Sequence, residues 1–220
     1  MIDARLKNNF NMIVSGPTGT GKSSFINNLL LHKEIMMSMP PDKVILFYRI
    51  MQPIYTEMKD AGLVHELIDT IENFPSLSEI EDMVKTHKDD NGTLLIFDDI
   101  MVSVNKDFAE LFCNVGHHYN TSIIFVTQNL FHKDSTYRTM SLNSQYIVLM
   151  QNMRDNQQIG ILAKQISPYN SVFIVKAFEQ ATKEPFDYLL LDFHPTTPPF
   201  LRVRSHILPH QHPIRIYIEN

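Results

Sequence analysis
The sequence predicts an α/β fold with a mainly parallel central sheet flanked by helices. Three observations point there. Short β-rich apolar runs alternate with segments whose apolar residues recur at helical spacing, the pattern of strands joined by helical crossovers. A glycine-rich stretch, Gly16-Pro17-Thr18-Gly19-Thr20-Gly21-Lys22-Ser23, links the first apolar run to the first helical segment. A later apolar run, "TLLIF", ends in two adjacent acids, Asp98 and Asp99.

Taken in order, "FNMIVS" (10–15) is the first strand, and a helix starts at Lys22 with Phe25, Ile26, Leu29 and Leu30 on one face. "KVILFYR" (43–49) follows the breaker pair Pro40-Pro41 and reads as the second strand. Residues 55–75 leave two options open, because "HELIDTI" suits a short strand or a helix end. "SLSEIEDMVKTH" is a helix whose Ser76 and Glu79 are spaced as a capping box. The "DDNG" turn leads into "TLLIF", after which Phe108, Leu111, Phe112 and Val115 repeat at helical spacing. "SIIFVT" (122–127) and "QYIVLM" (145–150) are further buried strands, and "NSVFIVKAFEQAT" is helical. "YLLLDF", the Pro-rich "HPTTPPF" and "LRVRSHI" close the chain as an antiparallel hairpin at the sheet edge.

The 220 residues carry no repeats or Gly/Ser linkers, which points to one domain over 1–220 with a Pro-rich tail from about 205. With 44% hydrophobic and 20% charged residues the chain can bury a sizeable core. A net charge of −5 excludes a global basic field for nucleic acid, so any DNA contact must be local, such as a ring of side chains from several subunits. The single cysteine, Cys113, excludes an internal disulfide and Cys-rich zinc sites. No segment approaches the roughly 18 apolar residues of a membrane span, and "MIDARLKNNF" lacks the apolar core of a signal peptide. The expectation is a soluble intracellular protein with no membrane partner. Met residues near "EIMMSMP" read as loose packing.

The chemistry resides in a few places. Gly16 to Ser23 matches G-x-x-x-x-G-K-[ST], and its strand-before, helix-after context is the one that turns backbone N–H groups toward phosphate at a helix N-terminus. Gly16, Pro17, Thr18, Gly19, Thr20, Gly21, Lys22, Ser23 and Ser24 are the candidate nucleotide-binding set. Lys22 would reach the β- and γ-phosphates, and Ser23 would ligate Mg²⁺. An acid at the end of a buried strand suits metal holding, so Asp98 is assigned to Mg²⁺ and Asp99 to the base that orients water. The plainer alternative for the pair is capping of the next helix. Gln128, ending the strand "SIIFVT", is a sensor candidate, against a strand-terminal amide that satisfies loop backbone. Arg138 in "YRTMSLNS" and Arg154 in "NMRDNQ" are candidate arginine fingers, Arg154 ranked first, with surface salt bridges as the competing reading. His206, His210 and His212 read as a solvated terminal segment lacking a carboxylate or cysteine partner at ligand spacing. His117 and His118 would complement a helix dipole. Lys106 and Lys133 are either exposed lysines or contacts to a phosphate backbone.

With these pieces in order, the chain resembles the viral genome-packaging ATPases of the HerA–FtsK superfamily, in the poxvirus-type branch found in Polinton (Maverick) elements, virophages and related double-stranded DNA viruses. The resemblance rests on "SGPTGTGKS", "LLIFDDI", "VTQNLFHKDSTYRTMSLNSQYIVLMQNMRD" and "AFEQATKEPFDYLLLDFHPTTPPFLRVRS", which together span most of the chain. "NMRD" departs from the Asn-Pro-Arg-Asp expected in many relatives. The resemblance implies a RecA-like P-loop NTPase core and a homo-oligomeric ring, pentamer or hexamer. It implies ATP and Mg²⁺ as cofactors, and double-stranded DNA and capsid proteins as partners. The location it implies is inside the host cell, in cytoplasm or nucleus, and transiently at the portal vertex. It assigns Gly16, Gly21, Lys22 and Ser23 to ATP–Mg²⁺, Asp98 and Asp99 to the Walker B roles, Gln128 to the sensor, and Arg138 or Arg154 to the finger between subunits. Two other classes stay in view: a small P-loop nucleotide kinase, which would ordinarily carry an Arg-rich lid, and a nucleotide-gated scaffold without turnover.

Overall fold
The computed structural model describes residues 3–85, 91–100, 104, 106–118, 120–130, 135–152, 157–211 and 213–219. Among the described residues nine strands form one sheet: β1 (Asn11–Ser15), β2 (Lys43–Tyr48), β3 (Glu66–Asp69), β4 (Thr93–Asp98), β5 (Thr121–Thr127), β6 (Tyr146–Met150), β7 (Tyr188–Asp192), β8 (Val203–Ser205) and β9 (Arg215–Ile216). Their order across the sheet is β3-β2-β4-β5-β1-β6-β7-β8-β9. The first six in that order run parallel, and β7, β8 and β9 are antiparallel to their neighbours.

Every residue of β1, β2, β4, β5, β6 and β7 is buried, as expected for strands covered on both faces. Alternate side chains feed two separate cores. Ile13, Leu95, Phe97, Ile123, Phe125 and Ile147 point toward α4 (Leu77–Lys85), α5 (Lys106–His118), α6 (Ser135–Leu142), α7 (Gln157–Ile166) and α8 (Ser171–Ala181). Met12, Val14, Leu94, Ile96, Ile124 and Val126 point the other way, toward α1 (Lys22–Leu31), α2 (Lys33–Met36) and α3 (Pro53–Asp60).

Helix α1 buries Phe25, Ile26, Leu29 and Leu30, the stripe its spacing predicts. The Ser76 capping box also forms: Ser76 N donates to Glu79 Oε2 (2.7 Å) and Glu79 N to Ser76 Oγ (3.3 Å). In the open stretch 55–75 the chain forms the last two turns of α3 and the edge strand β3, so "HELIDTI" is a strand. The Val115, His117 and His118 side chains, Lys133, Arg154 and His212 lie outside the described residues.

The start of the terminal segment departs from the solvated tail expected after about 205, whereas His210 and much of 213–219 are exposed. Ile207 and Leu208 are buried, and His206 Nε2 lies 3.2 Å from the Asp187 carboxylate. The anchor is Arg204, 1% exposed, whose guanidinium meets Asp192 Oδ2 at 2.9 Å and donates to the Leu201 and Ala4 carbonyls. This ion pair is buried at both ends and ties β8 to the N-terminal segment through Ala4, while Ile207 and Leu208 pack into the cluster that holds Leu6, Phe10 and Phe25.

Candidate functional site
Strand register brings the predicted motifs to one level. Ser15 pairs with Thr127, and Asp98 with Val126, so β1, β5 and β4 finish side by side at the carboxyl edge of the sheet. Because β5 lies between β1 and β4, Gln128 emerges between the glycine-rich loop and the acid pair. Adjacent strands lie about 4.8 Å apart, so the ends of β1 and β4 are roughly 10 Å apart, and side chains from the loop and the acid pair meet across that gap. A cleft of about 520 Å³ opens at this point, with Gly19, Lys22, Ser23, Asp98, Asp99 and Gln128 in its lining.

The loop is shaped by steric limits. Gly16 passes so close to β6 that a Cβ would lie 2.5 Å from Met150 Cβ, and its N–H donates to the Thr127 carbonyl (3.2 Å). Gly21, at φ 95°, takes the left-handed conformation that lets the chain turn into α1. A glycine cap has no side-chain acceptor, so the first N–H groups of α1 are left for a ligand. Lys22 Nζ folds back onto the Gly16 and Pro17 carbonyls at 2.6 and 2.9 Å. Burial lowers its pKa, an effect opposed by the charges of Asp98 and Asp99.

Opposite stands Asp98, 6% exposed. Its Oδ2 accepts a 2.7 Å bond from the Tyr55 hydroxyl and lies 3.4 Å from Ser23 Oγ. Burial raises the Asp98 pKa, the Tyr55 hydrogen bond opposes the rise, and Lys22 opposes it further. Burial pushes the Tyr55 hydroxyl well above its ordinary range, which keeps it a donor. Ser23 Oγ also lies 3.4 Å from Gln52 Oε1. Asp99, at φ 58°, turns its carboxylate toward Gln128, whose Nε2 donates to Oδ1 at 3.3 Å.

Thr18, Gly19, Gly21, Lys22, Ser23, Ser24, Asp98, Asp99 and Gln128 therefore share one cleft, while Gly16 and Pro17 support it through their carbonyls and Thr20 Oγ1 braces the turn on Pro17 O (2.8 Å). Arg138 is exposed on α6 and is not among the residues lining the cleft. Gln52, Tyr55, Glu57 and Phe186 line or brace the site and were not singled out by sequence. Pro53 at the first position of α3 was a readable helix-start signal behind β2. Phe186 had none, since it arrives from the far end of the chain.

The donor set suits magnesium. It offers only hard oxygens, one hydroxyl and one buried carboxylate, which leaves positions for water and phosphate. One hydroxyl and one carboxylate is the kind of partial ligand set that Mg²⁺ takes together with phosphate oxygens and water.

The sequence matches the family model described as Poxvirus A32 protein over residues 2–183. No curated protein matches it. Among solved structures, the chain is similar to B204, the DNA-packaging ATPase of Sulfolobus turreted icosahedral virus, with a TM-score of 0.55 at 16% identity over 97% of this chain and 98% of that one. It is also similar to the genome packaging NTPase B204 of Sulfolobus turreted icosahedral virus 2 in complex with AMPPCP, at TM-score 0.53 and 15% identity over 100% of both chains. The cytoplasmic domain of the Thermomonospora curvata type VII secretion ATPase EccC aligns at TM-score 0.53 and 14% identity, over 94% of this chain and 25% of that one. These likenesses show the fold: a RecA-like P-loop core with an antiparallel C-terminal edge.

Proposed function
The chain belongs to the poxvirus A32 protein family, and on that premise we propose that it is a Mg²⁺-dependent ATPase that moves double-stranded DNA into a viral capsid as a homo-oligomeric ring. The observation that carries the catalytic part is the convergence of Lys22, Ser23, Asp98, Asp99 and Gln128 on one cleft at the carboxyl edge of the sheet. The likeness to B204, a DNA-packaging ATPase matched over 97% of this chain and 98% of that one, supports the DNA part.

In this reading the phosphates of ATP lie on the N–H groups of the loop and of the first turn of α1. Lys22 turns from the Gly16 and Pro17 carbonyls to the β- and γ-phosphates, exchanging neutral acceptors for charged ones. Ser23 and Asp98 hold Mg²⁺, which when bound neutralises charge on the phosphate oxygens. Tyr55 keeps the Asp98 carboxylate aimed at Ser23. Asp99 orients the attacking water and accepts its proton, and Gln128 fixes the Asp99 oxygen that does so. The transition-state cation comes from a neighbouring subunit, through Arg138, exposed on α6, or Arg154. Exposed Lys106 is the candidate contact to the DNA backbone. The protein works inside the host cell and meets capsid proteins at the portal vertex.

The test is ATPase rate against protein concentration, with and without duplex DNA, alongside mass measurement of the assembly. A finger supplied in trans makes specific activity rise steeply with concentration, and DNA raises it further. Lys22→Ala should abolish turnover, and Asp99→Asn should retain ATP uncleaved. A flat, DNA-insensitive rate would refute the motor and the trans finger together. Transfer of phosphate to nucleoside monophosphates would instead identify a kinase.

A further inference from the structure
One wall of the cleft is built by a residue with no part in the phosphoryl chemistry. Phe186, in the turn between α8 and β7, is 67% exposed and holds its backbone at φ 69°. A left-handed conformation is an outlier for so bulky a side chain and persists only where the surroundings over-determine it. Here they do. Asp187 N donates to the Glu184 carbonyl (3.2 Å), and the Asp187 carboxylate meets His206 at 3.2 Å. The buried Tyr188 hydroxyl accepts from Ile207 N (3.1 Å) and bonds Gln211 Oε1 (2.8 Å).

The same turn is registered against α1. The Tyr188 ring sits edge-on to Phe25, with centroids 4.8 Å apart. Phe25 lies one helical turn beyond Gly21, and Phe186 lies two residues before Tyr188, so Phe186 falls over Gly21. A Cβ placed on Gly21 would stand 3.2 Å from Phe186 Cδ1 and 3.4 Å from its Cβ. The bonded turn thus sets the ring at the N-terminus of the phosphate-loop helix, with most of its surface in water. So exposed a ring buries little apolar area, and core packing among the described residues does not account for its place.

Resting on the ATPase reading of this cleft, we propose that Phe186 is the stacking platform for the nucleotide base, which lies against its exposed surface while the phosphates run along Gly19 to Ser24. Stacking needs only a π-face, so it rewards the presence of a base more than its identity. ATP and GTP are therefore bound alike, and inorganic tripolyphosphate, which has no base, is bound more weakly.

The test uses the full chain with Mg²⁺ and two probes, ATP and inorganic tripolyphosphate. In Phe186→Ala, ATP affinity falls about tenfold while tripolyphosphate affinity is unchanged. Phe186→Leu, which keeps apolar contact with Gly21 but has no π-face, shows the same loss for ATP. The chain contains no Trp and eight Tyr, so Phe186→Trp introduces a single tryptophan that can be excited selectively at the red edge, and ATP quenches it while tripolyphosphate does not. Equal weakening of both probes would mean that the ring only buttresses the loop, and would overturn the platform. Unchanged ATP affinity in Phe186→Ala, or unquenched Trp emission, would overturn it too. A wild-type chain that binds neither probe would refute the ATPase reading itself, a result distinct from a platform failure, in which wild type binds both.

Discussion

Removing one oxygen, the Tyr55 hydroxyl, tests how Asp98 is held. Tyr55 is 1% exposed, and its O–H donates to Asp98 Oδ2 at 2.7 Å, whereas Ser23 Oγ stands off at 3.4 Å. A hydrogen bond to a charged acceptor contributes about 1.5–3 kcal/mol, or roughly 10- to 150-fold in an equilibrium that needs the carboxylate. Burial already raises the Asp98 pKa, and the Tyr55 bond is the first influence opposing it. In Tyr55→Phe the pKa rises further. A protonated Asp98 cannot serve as a metal ligand, so activity is lost as pH falls through its pKa. That loss begins at higher pH in the variant. The tyrosine stays protonated throughout, because burial holds its own pKa above the ordinary range. The ring keeps its packing on Tyr48, centroids 5.7 Å apart, so the fold survives. The assay is steady-state ATPase as a function of pH and of Mg²⁺ concentration. The expected result is a rate at neutral pH lower by about one to two orders of magnitude, an acid limb displaced upward and a higher Mg²⁺ concentration for half-maximal rate. An unchanged acid limb together with unchanged Mg²⁺ dependence would refute the reasoning.

Asp98→Asn should separate stability from activity. A carboxyl whose pKa is raised by folding favours the fold while protonated, and that contribution is lost as pH rises through the folded pKa. The Asn variant without nucleotide should therefore melt higher than wild type at neutral pH, yet be inactive; a lower Tm would contradict the buried-charge account. Gly16→Ala forces a Cβ to 2.5 Å from Met150 and 2.8 Å from Thr20 Oγ1, and overpacking of this kind costs about 1–3 kcal/mol. A thermal melt several degrees lower and weakened nucleotide binding are expected. Asp192→Asn leaves Arg204 charged and unpaired where both side chains are 1% exposed, at a cost of about 3–5 kcal/mol. For a chain of this size that is roughly a 10 °C fall in Tm, read by calorimetry.

The local parts of this protein were legible because their causes are local. The face of α1 follows from the spacing of Phe25, Ile26, Leu29 and Leu30, and the Ser76 cap from a carboxylate three residues on. The phosphate loop follows from glycines where the backbone must turn left-handed or pass a neighbour without a Cβ. Residues 55–75 stayed open because β3 is a four-residue, half-buried edge strand, too short for period to speak. The tail keeps the expected exposure at His210 and along much of 213–219, and departs from it at Ile207 and Leu208. Ile207 and Leu208 are held by the apolar cluster they share with Leu6, Phe10, Phe25 and Tyr188, residues too distant along the chain for spacing to reveal.

The sequence by itself determined the inventory: strands, helices, a phosphate cradle and an acid pair at a strand end. Only the tertiary structure decided which of these face each other. The insertion of β5 between β1 and β4 sets Gln128 beside Asp99. The packing of α3 against α1's face of the sheet delivers Tyr55 to Asp98, and the antiparallel return of β7 lays Phe186 over Gly21. The reason is physical. Periodicity records which side of an element is apolar, and backbone propensity records which conformations a residue tolerates; both act over a few residues. The neighbour across a sheet is chosen by the packing of the whole chain, and contacts between residues more than a hundred positions apart leave no mark on either.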